Sequence, residues 1–306
     1  MLDERTVQLG AGDRAVRIIG PAQQTLRRLR EHLDSTSSVD AASDADAPAD
    51  ERQAAAHQST EPQAADQTIR ARARRQLAAV LIDGLPLPAA LLAEQLSELH
   101  LGMLLLRDDH PVDRADVAAG YPAAAVGHTR AAAVRRTCLR QHPEAAVVCA
   151  ASVAQEPVDI HVIFAMRAVA PARLAAAATQ AQLVLPVVRH DTSWQIGPLL
   201  SRQRGPCPRC LLLQGTVADP HFEAVQTALA DQTPSPSPPL GPGDPQSAAV
   251  LASLLAREIQ LAVDGEFTPQ TASRIIGLST RTGRLSLVPV IPHPECDCRL
   301  HTAADR

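Results

Sequence analysis

An α/β fold built on a parallel, doubly wound sheet is predicted for this 306-residue chain, on three observations. Candidate strands alternate with candidate helices from about Ile69 onward. The strand candidates are continuous apolar runs without period-two alternation, the pattern of strands buried on both faces. The interior must also be aliphatic, because aromatic residues make up only 2% of a chain that is 45% hydrophobic. Helix faces and strands of Ala, Leu and Val therefore have to pack on one another.

The elements follow in order. Residues 5–19 (RTVQLGAGDRAVRII) alternate apolar positions around a Gly-Ala-Gly-Asp turn and predict a β-hairpin. Pro21 opens a helix whose apolar stripe is Leu26, Leu29 and Leu33. Residues 1–34 thus form a small hairpin-helix module. Residues 35–68 are rich in Ser, Asp, Ala and Gln and predict a linker without a core of its own. The main domain spans 69–306. After the Arg-rich IRARARRQ it begins with the strand LAAVLIDG, ending at Gly84, and the helix PAALLAEQLSELHLG. A second strand, MLLLRDDHPV, carries acids at its C-terminal end. A helix over 127–142, the strands EAAVVCAASV and DIHVIFAM, the helix APARLAAAATQA and the strand LVLPVVRH complete the alternating part. Residues 211–230 read as one helix, and the Pro-rich loop 231–247 interrupts the chain. SAAVLASLLAREIQLAVDG is a long helix capped by Gly265, and a hairpin with a Thr-Gly turn ends the domain.

Composition excludes several classes. With 29 basic and 33 acidic residues the net charge is −4, which gives no electrostatic footing for nucleic acid or an anionic membrane as partner. The segment MLDERTVQLG lacks the pattern of a signal peptide, and no apolar run is long enough to span a bilayer. A cytoplasmic, reducing location is expected, which weighs against disulfides among the six cysteines.

Four of those cysteines carry the sharpest signal. Cys207 and Cys210 form a CxxC; Cys296 and Cys298 form a CxC far along the chain, both in Pro-rich loops. Two thiolate pairs supply the four corners of a tetrahedral zinc site, and a site closed by four protein ligands is structural. A redox CxxC would need no second pair. Cys138 and Cys149 fall within a helix and a strand and read as buried small hydrophobes. Trp194, the single tryptophan, reads as packing.

The order of these parts, and above all GPLLSRQRGPCPRCLLLQ and VIPHPECDC, resembles the ThiF/MoeB (ubiquitin-activating-type) superfamily. Within it the chain is similar to the actinobacterial cyclodehydratase or leader-peptide-binding branch of thiazole/oxazole-modified peptide pathways. The resemblance covers about Ile69 to His301, and the N-terminal module is similar to that branch's truncated winged-helix-like front. It implies a Rossmann-like, doubly wound sheet of the ThiF type with a structural zinc clamp.

In active relatives a glycine loop, a ribose acid, phosphate-binding cations and a magnesium acid bind ATP-Mg and adenylate a carboxylate. Here the loop is reduced to Gly84-Leu85-Pro86-Leu87-Pro88; Asp108 or Asp109 stands for the ribose acid, and Arg114 and Arg130 for the phosphate cations. No carboxylate falls near Ala165-Met166-Arg167, where the magnesium acid belongs. The resemblance therefore implies a zinc-stabilised protein without catalytic residues or ATP-Mg, working with a peptide or a YcaO-type modifying enzyme, and homodimeric. An atypical ATP-dependent adenylyltransferase using Arg130, Arg114 and Asp109 is the alternative; a structural homodimeric scaffold is the second.

Overall fold

The computed structural model describes residues 6–9, 16–19, 70–150, 157–202, 205–231 and 244–298. The expected Pro21 helix, the 35–68 linker and most of the 231–247 loop lie outside them. The chain divides into two compact units, Met1–Gln63 and Ala64–Arg306. In the first, strands β1 (Thr6–Leu9) and β2 (Val16–Ile19) pair antiparallel, with Thr6 opposite Ile19, as the sequence predicts.

The second unit opens with helix α1 over 70–77, where the sequence offered only an Arg-rich run. Strand β3 (Ala79–Asp83) leads into helix α2 (Leu87–Glu98), and strand β4 (Met103–Arg107) into the short helix α3 (Arg114–Ala119) and helix α4 (Arg130–Gln141). Then come strand β5 (Val147–Cys149), strand β6 (Val158–Met166), helix α5 (Pro171–Gln180) and strand β7 (Ala181–His190). Short strands β8 (Ser193–Ile196) and β9 (Leu200–Ser201) fold back on β7. Helices α6 (Pro208–Ala218), α7 (Phe222–Asp231) and α8 (Asp244–Asp264) precede the hairpin of β10 (Arg274–Ser279) and β11 (Leu285–Pro289). The single helix expected over 211–230 is two, because Asp219-Pro220 cannot continue a helix. Their junction is tight: a Cβ on Gly215 would clash with the Phe222 ring.

Nine strands form one sheet in the order β11-β10-β8-β7-β6-β3-β4-β5, with β9 beside β7. From β7 to β5 all pairs are parallel; from β7 to β11 they are antiparallel. The parallel half was legible as apolar runs. Antiparallel β8 left no such run, because SWQI is too short to show a period; the family resemblance alone implied a crossover strand around Trp194. On one face Ile82, Leu104, Leu106, Ile160, Val162 and Leu185 pack against α2, α4 and α8. Leu92 and Leu96 of α2 meet this core beside Leu251, Leu255 and Ile259 of α8, and small Ala89, Ala93 and Ala252 belong to it too. Each fully buried Leu or Ile contributes roughly 1.5–3 kcal/mol, so this face dominates stability. On the other face Leu81, Leu105, Ile163, Val184 and Val188 pack with Leu174 and Ala177 of α5.

Helix α8 stops at Gly265, whose positive φ of 68° and amide bond to the Leu261 carbonyl fit the expected cap. The adjacent Asp264 carboxylate takes a two-pronged contact from Arg75 of α1, at 2.7 and 2.6 Å. Among the described residues no helix is long and apolar enough to cross a membrane.

Candidate metal centre and the closed crevice

The four cysteines arrive from two places. Cys207 is the N-cap of α6 and Cys210 lies in its first turn, so a CxxC entering a helix turns both sulfurs to one side. Cys296 and Cys298 follow β11, where Pro292 and Pro294 bend the chain back. The sulfurs of Cys207 and Cys210 are 3.7 Å apart, those of Cys207 and Cys296 3.5 Å, and those of Cys210 and Cys298 3.4 Å. All four lie within 4.8 Å of one another. A tetrahedral metal with bonds of about 2.3 Å to sulfur would set its ligands about 3.8 Å apart. The donor set therefore fits a soft divalent metal, and the four cysteines form a site that could hold one.

The surroundings support the same role. The His293 amide donates to the Cys210 sulfur at 3.3 Å, a contact that favours a thiolate. Burial pushes the Cys210 thiol up, but amide bonds from the Cys207 segment and His293 outweigh it and leave its pKa lowered. Burial and neighbouring thiols raise Cys207 and Cys298, because thiolates packed this closely need a cation between them. Arg209 pairs with Asp297 at 2.8 Å, and Gln214 donates to the Ile291 carbonyl, so polar contacts border the clamp. Of the other two cysteines, Cys138 is buried as expected; Cys149 is exposed, because it ends the edge strand β5.

The second candidate region lies where the sheet reverses. β4 is on one side of β3 and β6 on the other, so crossovers leave in opposite directions and a crevice is expected at their C-terminal ends. Here the chain's own groups engage backbone donors of the loop that follows β3. Gly84 (φ 85°) donates its amide to the Arg107 carbonyl, and a Cβ at this position would lie 3.1 Å from the Phe164 carbonyl oxygen. The next amide, of Leu85, is taken by the Asp108 carboxylate at 2.9 Å. Pro86 and Pro88 have no N–H, and the Ala89 and Ala90 amides bond back to the Pro86 carbonyl.

Asp108 is itself buried and committed. It also accepts from the His110 amide and ring, and lies 3.6 Å from Arg130. Arg130 is buried too and grips Asp116 with two bonds of 3.0 Å. Burial works against its cation, but Asp116 and Asp108 outweigh that and raise its pKa. Asp116 stands where it does because α3 is tied by a reciprocal capping box with Asp113. The Tyr121 hydroxyl closes the group by donating to the Leu85 carbonyl at 2.5 Å. Asp109 and Arg114 are exposed, one beyond β4 and the other opening α3. Of the five residues expected around a nucleotide, the fold thus sets Asp108 between Arg130 and the Leu85 amide next to Gly84, and leaves Asp109 and Arg114 exposed. Asp116 and Tyr121 had no sequence signal beyond their polarity.

Apolar rings fill the same face. Trp194, 2% exposed, meets Phe164 edge-to-face with ring centres 6.3 Å apart, and the Arg189 guanidinium lies 5.3 Å from its ring centre. On the opposite face Asp83, at the end of β3, bonds His161 at 3.2 Å and pairs with Arg173 of α5 at 3.0 Å and Arg107 at 3.7 Å. Arg173 belongs to the β6–α5 crossover, so this ion pair ties the two sides of the crevice.

Burial alone would raise the Asp83 pKa, yet His161 and Arg173 hold it below the ordinary carboxylate value. Such a group binds protons more weakly folded than unfolded, so its contribution is present above pH ~4 and lost as pH falls through the depressed value. Urea unfolding across pH 2–6 is expected to show stability falling below about pH 4. Asp83→Asn is expected to flatten that slope; an unchanged slope would remove Asp83 from the explanation.

No family model and no curated protein matches the sequence. Solved structures do match. They include E. coli MccB with succinimide, at a TM-score of 0.58 and 15% identity over 75% of this chain and 69% of that one. The microcin C7 biosynthetic enzyme MccB with N-formylated MccA matches at 0.58 and 13% over 75% and 70%. PaaA matches at 0.55 and 15% over 87% of this chain and 92% of its own. At these identities the likeness establishes the fold, and it is the ThiF/MoeB-like fold that the sequence resemblance implies.

Proposed function

We propose that this chain is a zinc-stabilised ThiF-like protein that does not adenylate, and that it binds a peptide or a modifying enzyme within a peptide-modification system. One observation carries the reading: the Asp108 carboxylate holds the Leu85 amide where a nucleotide's phosphate would need that donor. A phosphate approaching the N-terminus of α2 would meet a buried acid, two prolines and, at Gly84, Leu85, Ala89 and Ala90, amides already bonded. The four-cysteine clamp supports a scaffold kept for binding, with zinc as the metal because a closed set of four thiolates suits it.

The peptide half of the reading is supported by the neighbours. MccB has been solved with the peptide MccA and with ATP, and on this proposal the chain keeps the peptide-handling half of that pair. A YcaO-type cyclodehydratase, itself consuming ATP, is the partner to which such a protein would present a peptide, and homodimerisation belongs to the same proposal. A reducing, cytoplasmic setting is part of the same proposal, since free thiols held for a metal are compatible with it.

Calorimetric titration with ATP-Mg tests the central claim. No saturable heat is expected at millimolar nucleotide, and no pyrophosphate exchange with a peptide carboxylate. Micromolar binding or measurable exchange would overturn the reading in favour of an atypical adenylyltransferase.

A further inference from the structure

We infer that the free edge of β11 receives an extended acidic–apolar peptide segment as an added strand. This rests on the peptide-partner reading above and assigns it a surface. Among the described residues β11 ends the sheet and pairs only with β10. Its ladder phase is fixed at both ends: the Ser279 amide donates to the Arg284 carbonyl and the Val290 amide to the Ser273 carbonyl. Residues 284 and 290 therefore face β10, and by antiparallel alternation Leu285, Leu287 and Pro289 turn their backbone groups outward. Pro289 lacks the N–H that would have pointed away from the sheet, which places a strand-limiting residue at the end of the open edge.

Edges this apolar are unusual, since exposed edges ordinarily carry charge that prevents pairing. Leu285 is 48% exposed, Leu287 49% and Val288 43%, so both faces of the strand offer apolar side chains. Charge selects the occupant. Arg274 lies opposite Pro289, and Arg281 and Arg284 border the turn; all three are exposed, and among the described residues none has a carboxylate within ion-pair distance. Asp191 is the one acid in the adjoining β7–β8 turn, which joins this hairpin through the Thr280 amide and the Thr192 carbonyl. An apolar strand in a cationic frame fits an extended segment alternating apolar and acidic residues. The four-cysteine cluster ties the chain to α6 a few residues past Val290, and Gln214 of α6 donates to the Ile291 carbonyl, so the anchor lies just beyond the receiving strand.

Fluorescence anisotropy of a labelled Val/Glu-alternating heptapeptide, with its Val/Lys counterpart, tests the assignment on the full chain. The Val/Glu peptide is expected to bind saturably and at least about tenfold more tightly than the Val/Lys one. Leu287→Pro deletes an outward donor without removing a β10–β11 bond and is expected to abolish binding, while Leu287→Val keeps it. Thermal melting of both variants checks that the hairpin stays folded. Absent binding, equal binding of the two peptides, or binding unchanged in Leu287→Pro would overturn the assignment. So would light scattering showing a dimer that Leu287→Pro dissolves, which would make a second copy the occupant. Nucleotide titration is independent of these outcomes, so each reading can fail alone.

Discussion

Replacing Cys210 with Ser is expected to reduce the zinc content of the purified protein from one ion per chain to none and to lower its Tm by roughly 10 °C. Cys210 is fully buried, touches the sulfurs of Cys207 and Cys298, and receives the His293 amide, so no water can take its place without breaking that arrangement. Metal in a structural site is folding free energy, about 10–16 kcal/mol in isolated finger peptides. Only part of that bears on a unit with a large aliphatic core, so a loss of about 3–5 kcal/mol is expected; for a domain of this size each kcal/mol shifts Tm by about 2–4 °C. The lost ion unties α6 from the tail of β11, freeing a segment that closes a long loop. Metal analysis with thiol titration checks the result. A wild-type chain with far less than one zinc and four freely titrating native thiols would sink the metal assignment.

Arg130→Met is expected to destabilise the protein by about 3–5 kcal/mol in urea unfolding, because it leaves Asp108 and Asp116 buried without their cation. Arg130→Lys should recover little of that, since an ammonium cannot reproduce the two-pronged grip on Asp116. Neutralising all three positions together (Asp108→Asn, Asp116→Asn, Arg130→Met) should cost less than the single change, the signature of a desolvated ionic network. Full stability of Arg130→Met would mean that the network does not hold the Gly84–Pro88 loop closed, and would remove the main support for lost adenylation. Loss of any activity in Arg130→Ala would not separate the enzyme reading from the binding one, because the same residue holds the fold. Arg114, exposed at the start of α3, is the position whose substitution can report on nucleotide contact alone.

Both expectations turn on how far residues could be read before they were placed. The five parallel strands were legible because strands buried on both faces leave continuous apolar runs, and VLID, LLLR and HVIF do so. The break between α6 and α7 was passed over at Asp219-Pro220, although proline there marks a boundary. β8 and β9 left too few residues to show any period. Helix α1 was hidden by its arginines, two of which, Arg74 and Arg75, bond Asp264 at the far end of α8. Cys149 was misjudged because an edge strand and a central one share the same local pattern.

The sequence by itself determined the four-cysteine set, since ligand type and spacing are local properties of the chain. It also determined the layered class, which follows from hydrophobic periodicity. Only the tertiary structure decided what the charges near the Gly84–Pro88 loop do. Asp108 and Arg130 read as possible contacts for a ligand; folded, they bond Leu85 and Asp116, because burying a charge is tolerated only where an opposite charge or a backbone donor meets it. Which partner meets it depends on residues distant in sequence, and no spacing rule encodes that distance.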